Sequence, residues 1–424
     1  MRYLFVVDGR SPIAINWIRH FAERGDEVYI ASTFACSLDF PINGLEITPV
    51  AFSGFKKPSQ RPGSASARTL GMRTVIRQWF GPLTVRRASQ KLCTFIESVK
   101  PDLIHAMRIP YEGMLSTFAL QSPRRGSGVT SGTRNAGEAP RLIISSWGND
   151  FTLHAPASHL MGQYTRGALH TTDAFHADCQ RDIRLAKEWG LDSSKPTMVA
   201  PGNGGIRLDV FHPGPQPVDE PIIINPRGFR PYIRNDAFFR AIPLVLAKHP
   251  NAKFICTSMA GEPQAVQWIK ELKIGHVVEL LPLVSNAYMA QLFRRAQIVV
   301  SPSVHDGTPN TLLEGIACGC FPVAGDLESI REWITPDENG LLFDSNSPQS
   351  IAEAIVAAIG NTDLRKKAAG LNQTIISTRA EYNHNMERIE KFYNEVGARS
   401  SRPSLKAGKP RPTFGENNGL KTQR

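Results

Sequence analysis

A chain of 424 residues is too long for one hydrophobic core and points to two or three domains of roughly 100–200 residues. With 41% hydrophobic and 21% charged residues the composition is that of a globular protein, and no apolar run approaches the roughly 18 residues of a membrane span. The net charge of +11 favours anionic partners, and the six scattered cysteines include no CxxC pair and no Cys/His cluster at zinc spacing, which excludes the common zinc modules and a disulfide scaffold.

The opening MRYLFVVDGRSP lacks the long apolar stretch of a secretory signal and reads as a buried first strand, so a cytoplasmic location is expected. YLFVV (3–7), IAINWIRHFAER (13–24) and EVYIAS (27–32) make a β-α-β unit, because Ile13, Trp17, Ile18 and Phe21 recur at helical spacing and Gly25 stops the helix. SASARTLGMRTVIRQWFGPLTVRRASQKL (64–92) sets Arg68, Arg73, Arg77, Arg86 and Arg87 beside Leu70, Ile76, Trp79 and Phe80. That mixture suits an anionic membrane surface, and equally a solvated helix packed on its own domain. DLIHA (102–106) and LIISSW (142–147) are further buried strands, separated by a polar stretch at 121–140 that reads as a mobile insertion.

A Gly/Pro-rich joint at 200–221 precedes a second series: PIIINP (221–226), a helix over 237–249, AKFICTS (252–258), HVVELLP (276–282), QIVVSPS (297–303) and CFPVAGD (320–326). The expected fold class is therefore α/β, with two Rossmann-like, doubly wound domains in tandem. Residues 1–205 form the first and 206–375 the second, 376–397 a closing helix, and 398–424 a basic disordered tail. There is no GxGxxG, GxxxxGK[ST], HExxH, GxSxG or DxD, so no cofactor and no resident metal is expected, and any phosphate must be neutralised by side chains and helix termini. No nucleic-acid motif stands behind the positive charge.

HDGTPNTLLEGIACG (305–319) is the most informative segment. Thr308 suits a helix cap and Pro309 the first helical position; Leu312, Leu313 and Ile316 then face inward and Gly319 ends the helix. Asp306 falls in the loop and Glu314 on the first turns, beside free amides that favour an anion. Spacing alone is equally satisfied by an amphipathic helix with surface acids.

The wider block SPSVHDGTPNTLLEGIACGCFPVAGDLESIREWITPDENGLLFD (301–344) resembles the carboxy-terminal signature of family 4 GT-B glycosyltransferases. WGND (147–150), PGNGGIRLDVFHP (201–213) and NPRGFRPYIRNDAFFRAI (225–242) resemble further family segments in the expected order. The resemblance implies two domains facing a cleft and a retaining transfer of sugar from a nucleotide diphosphate sugar to a saccharide or lipid-linked acceptor, in cell-surface glycan biosynthesis. It implies that Glu314 holds the donor ribose, that Asp306 holds the transferred sugar, and that Arg227 takes the diphosphate. Where the family has a second cation this chain has Tyr232, with Arg230 and Arg234 nearby to substitute. Gly307, Thr308 and Gly9 are implied to line the donor, His105 to approach the reacting sugar, and Asn149 and Asp150 to orient the acceptor. Asp306 stands where Glu is usual and Met107 where a second His is frequent, so a nucleotide-sugar 2-epimerase of the same fold and a non-catalytic nucleotide-sugar-binding member are rival readings.

Overall fold

The computed structural model describes residues 1–53, 75, 77–121, 139–214 and 220–398. The first sheet holds β1 (Arg2–Val7), β2 (Glu27–Ser32), β3 (Gly44–Ile47), β4 (Leu103–Ala106), β5 (Arg141–Ser146), β6 (Ala174–Ala177) and β7 (Thr197–Val199). Their order is β3-β2-β1-β4-β5-β6-β7, parallel throughout. The second sheet runs β10-β9-β8-β11-β12-β13, also parallel, from β8 (Ile222–Asn225), β9 (Lys253–Cys256), β10 (Val278–Leu280), β11 (Ile298–Ser301), β12 (Phe321–Gly325) and β13 (Leu341–Phe343). In β1, Tyr3 to Val7 are all essentially buried, as a strand covered by helices on both faces requires. Helix Pro12–Glu23 turns Ala14, Trp17, Ile18 and Phe21 onto that sheet, and Gly25, at φ +92°, terminates it.

In each sheet the strand order reverses once, between β1 and β4 and between β8 and β11. Ligands of open α/β sheets sit at this switch point, beyond the carboxyl ends of the strands. The loops after these four strands therefore carry the candidate chemistry.

The chain crosses between the domains twice. At the first crossing, Gly204 and Gly205 have φ of +86° and +121°, and a Cβ on Gly205 would lie 2.4 Å from the carbonyl oxygen of Ala380. At the second, helix Tyr382–Ala398 returns to the first domain and packs Met386, Ile389, Tyr393 and Val396 against Tyr3, Phe5, Trp17 and Phe21. Among the described residues no helix is long and apolar enough to cross a membrane. The expected insertion and tail fall largely on 122–138 and 399–424, and part of the basic segment on 64–74 and 76, all outside the described residues.

Candidate functional site

Arg227 follows β8 and Asp306 follows β11, so the second sheet's switch point brings them together. The Arg227 guanidinium lies 2.7 Å from the Asp306 carboxylate and donates to Thr311 Oγ1 at 3.0 Å. Its Nε–H is buried without a partner among the described residues. The loop is held from behind, where Arg227 N donates to Asn225 Oδ1, Asn225 to Asn235 Oδ1, and Asn235 to the Gly228 carbonyl. Val304 N donates to the Tyr232 carbonyl, tying the loop after β11 to the one after β8. Arg230 is exposed and reaches the Tyr232 hydroxyl at 3.1 Å, whereas Arg234 is committed to Asp236 and Asn346. Of the two candidate substitutes for the second cation, Arg230 is the available one.

Glu314 lies on helix Asn310–Ala317, with its side chain making no hydrogen bond among the described residues. Burial pushes its carboxyl up to about 8, against the opposing pull of the Arg227 charge. A desolvated carboxylate without hydrogen-bond donors beside an arginine is poised for a ligand's hydroxyls. The expected cap is not made: the helix begins after Pro309, and the Thr308 hydroxyl donates to the Asp178 carbonyl of the other domain. Gly307 is likewise at the domain junction, where a Cβ would lie 2.3 Å from the Asp178 carboxylate. The Thr308 hydroxyl and the Gly307 Cα thus serve the interface between the domains.

The first domain corrects three expectations. Gly9 admits the end of β2: a Cβ there would lie 2.5 Å from Cys36 Sγ, and its N–H is already taken by Ser32 Oγ. Asp150 is fully buried and accepts from Arg108, Ile109 N and Trp147 N, so it anchors Arg108 and is not exposed to an acceptor. Asn149 accepts from the same guanidinium at 3.0 Å. His105 does not reach the cleft. Its ring is wholly buried between the Tyr393 hydroxyl and Ser145 Oγ, and Ser145 is bonded in turn to His176. Burial holds His105 well below the ordinary histidine range and His176 down at about 4. His105→Ala is expected to cost about 1–3 kcal/mol by orphaning the two hydroxyls, read as a lower urea midpoint at unchanged nucleotide affinity. Because both rings stay neutral when folded, the unfolded chain binds more protons below about pH 6.5, so stability falls as pH drops through that window.

Arg181, which the sequence reading did not single out, clamps the two domains. Its guanidinium donates to the carbonyls of Gly148 and Asp306 and to Ser329 Oγ, while ion-pairing with Asp182 at 2.8 Å. Glu332, from the second domain, caps helix Gln180–Glu188 of the first by accepting from Gln180 N and Arg181 N, both at 2.9 Å. Asp178, Cys179 and Asp182 are the one grouping of potential metal-ligating atoms among the described residues. Burial, then the Asp182 charge, pushes the Asp178 carboxyl well above its usual range, and Arg181 already occupies the Asp182 carboxylate. This is an interdomain joint with its partners in place.

Two facing doubly wound domains, with carboxylates and an arginine at the switch point of the second, define a protein of GT-B architecture. Residues 221–361 match the family described as Glycosyl transferases group 1. A D-inositol 3-phosphate glycosyltransferase from Thermobispora bispora is 22% identical over 321 residues, which cover 67% of this chain and 74% of that one. Sucrose-phosphate synthase from Thermosynechococcus elongatus superposes with a TM-score of 0.67 at 14% identity, over 94% of this chain and 100% of that one. HepE from Anabaena, solved with UDP, superposes with a TM-score of 0.67 at 13% identity, over 93% and 100%. The fold is thus GT-B, and residues 221–361 carry the similarity to the group 1 glycosyltransferases.

Proposed function

We propose that this enzyme transfers a sugar from a nucleotide diphosphate sugar, with retention of anomeric configuration and without a divalent metal, to a saccharide or lipid-linked acceptor in cell-surface glycan biosynthesis. The observation that carries the reading is the convergence of Arg227, Asp306 and Glu314 on one switch point. Glu314 takes the ribose hydroxyls, Asp306 the hydroxyls of the transferred sugar, and Arg227, whose buried Nε–H has no protein partner, the diphosphate. The acceptor oxygen bonds to the anomeric carbon on the face from which the diphosphate leaves. The acceptor proton goes to the departing phosphate oxygen, and Arg227 with Arg230 stabilises the charge that develops there. Closure of the domains excludes water from this step. The Anabaena protein was also solved with UDP-glucose, which favours a uridine donor here.

Calorimetric titration with UDP, GDP and ADP tests the reading. One nucleotide is expected to bind clearly, and UDP first among them; if none binds, the donor site is wrongly assigned. The anomeric configuration of a product, read by proton NMR, then decides between retention and inversion.

Attachment to the inner membrane face is part of the proposal. Val75, Trp79, Phe80 and Leu83 expose between 53% and 63% of their surface, next to exposed Arg86 and Arg87. Burying one large apolar side chain in lipid is worth about 1.5–3 kcal/mol. The double variant Trp79→Ser, Phe80→Ser is therefore expected to weaken sedimentation with anionic vesicles by at least about tenfold, and equal binding by both proteins removes the membrane from the proposal.

A further inference from the structure

The first sheet has a cavity at its own switch point, built by the loops after β1 and β4. It has a volume of about 220 Å³ and is lined by Asp8, Phe34, Arg77, Arg108, Glu112 and Trp147, among others. It borders the donor cleft, since its wall residue Trp147 precedes Gly148, which abuts the Asp306–Gly307 backbone of the second domain. Drug-sized ligands occupy about 300–1,000 Å³, so this space admits a single small head group and no lipid chain.

The charges on its wall are compensated, with one exception. Asp8 pairs with Arg10 at 2.8 Å and Arg108 with Asp150 at 2.7 Å. Glu112 accepts from Thr33 Oγ1 at 2.7 Å, and burial raises its carboxyl to about 7, which halves its charge at neutrality. His154 is kept neutral, pushed down to about 4 by burial. Arg77 has no carboxylate within ion-pair distance among the described residues, and its Nε–H is buried without an acceptor. Its guanidinium carbon lies 5.0 Å from the centroid of Tyr111 and 5.3 Å from that of Phe34, whose ring Arg10 covers more closely at 3.4 Å. A planar donor set beside aromatic rings, left without a counter-charge in a cavity, is arranged for an oxyanion.

We infer that Arg77 selects an acceptor whose small head group carries an oxyanion, a phosphate or carboxylate, and that it binds this group in the first-domain cavity. The inference rests on the transfer reading and supplies its acceptor class. The oxyanion belongs either to a soluble sugar derivative or to a lipid-linked sugar phosphate presented at the nearby Trp79–Leu83 surface.

The test is equilibrium binding to the full chain saturated with the nucleotide found above, using glucose 6-phosphate, glucuronate and glucose as soluble probes. Vesicles containing a polyprenyl phosphate serve as the lipid probe, against vesicles without it. At least one oxyanion probe is expected to bind ten times or more tightly than its neutral counterpart. Arg77→Met, which keeps the apolar stem against Phe34 and Tyr111, is expected to abolish that preference and leave nucleotide affinity intact; Arg77→Lys is expected to restore part of it. A preference for the soluble probes assigns a soluble acceptor, and one confined to the vesicles assigns a lipid-linked one. If no oxyanion probe outbinds its neutral counterpart, or if Arg77→Met keeps the preference, the inference is wrong. The nucleotide titration distinguishes the two failures: oxyanion binding without nucleotide binding overturns the transfer reading and leaves Arg77 as an anion site.

Discussion

Nucleotide affinity is expected to rise with pH between 6 and 8 and to level off above, with release of a proton on binding. The cause is Glu314, whose burial raises its carboxyl to about 8 in the free protein, so that near pH 7 it is mostly protonated. Ribose hydroxyls donate, and a carboxylate accepts both of them more strongly than a neutral acid does. Binding therefore draws the group into its ionised form, and each pH unit below the free value weakens affinity by up to about tenfold. Glu314→Gln is expected to bind about 1–3 kcal/mol more weakly at pH 8 and to lose the pH dependence. Calorimetry in two buffers of different ionisation enthalpy counts the proton directly. The same group acts on stability with the opposite sense. Its folded value lies above the unfolded 4.5, so the folded state binds more protons in between, and stability declines as pH rises from about 4.5 towards 8. Glu314→Gln is accordingly expected to raise the urea midpoint at pH 8 while damaging binding. A flat affinity profile for the wild type, with an unchanged midpoint in the variant, refutes this account of the group.

Gly148→Ala is expected to abolish most transfer while sparing nucleotide binding. Gly148 has φ +27°, and a Cβ placed on it would lie 2.1 Å from Gly307 N, 2.7 Å from Gly307 Cα and 2.8 Å from the Asp306 carbonyl carbon. All three obstacles are backbone, so no side-chain rotation relieves the clash and the domains must separate. Separation also strips the Arg181 bonds to the Asp306 carbonyl and Ser329 Oγ and the Thr308 bond to the Asp178 carbonyl. A displacement of about 1 Å between reacting groups costs on the order of a hundredfold in rate, so kcat is expected to fall at least that far. The donor loops lie within the second domain, and nucleotide affinity should stay within a few fold. Small-angle scattering is expected to show a larger radius of gyration. Wild-type turnover in Gly148→Ala means that the closed arrangement seen here is not the one in which transfer takes place.

The architecture was legible where strands are covered on both faces. YLFVV, EVYIAS, LIISS, IIIN and IVVS are unbroken apolar or β-branched runs, and each became a strand of a parallel sheet. The edge strands β3 and β7, of four and three residues, were not legible, because half-exposed GLEI and TMV carry no pattern distinct from a loop. At the site, Arg227, Asp306 and Glu314 could be read because strand ends and a helix start fix them locally. His105 and Thr308 were misread for a common reason. Their partners lie far along the chain, Tyr393 288 residues from His105 and Asp178 130 residues from Thr308, and no local pattern reveals which way such a side chain is committed. Arg181 gave no signal beyond its place behind a strand. Arg77 was visible as one arginine of a basic aromatic segment, but its isolation from carboxylates exists only in the folded cavity.

The last helix carries a consequence for how the protein is made. Tyr393 donates nothing to the second domain; its ring stacks on Phe21 at 5.0 Å, and its hydroxyl joins Trp17 to His105 beneath the first sheet. The face of β1 is therefore closed by a helix that follows the whole second domain in the chain. Until that helix is made, Tyr3, Phe5, Trp17 and Phe21 stand uncovered on a nascent chain, a state that invites aggregation and chaperone binding. The first domain reaches its final form only once the second domain and the helix after it have been translated.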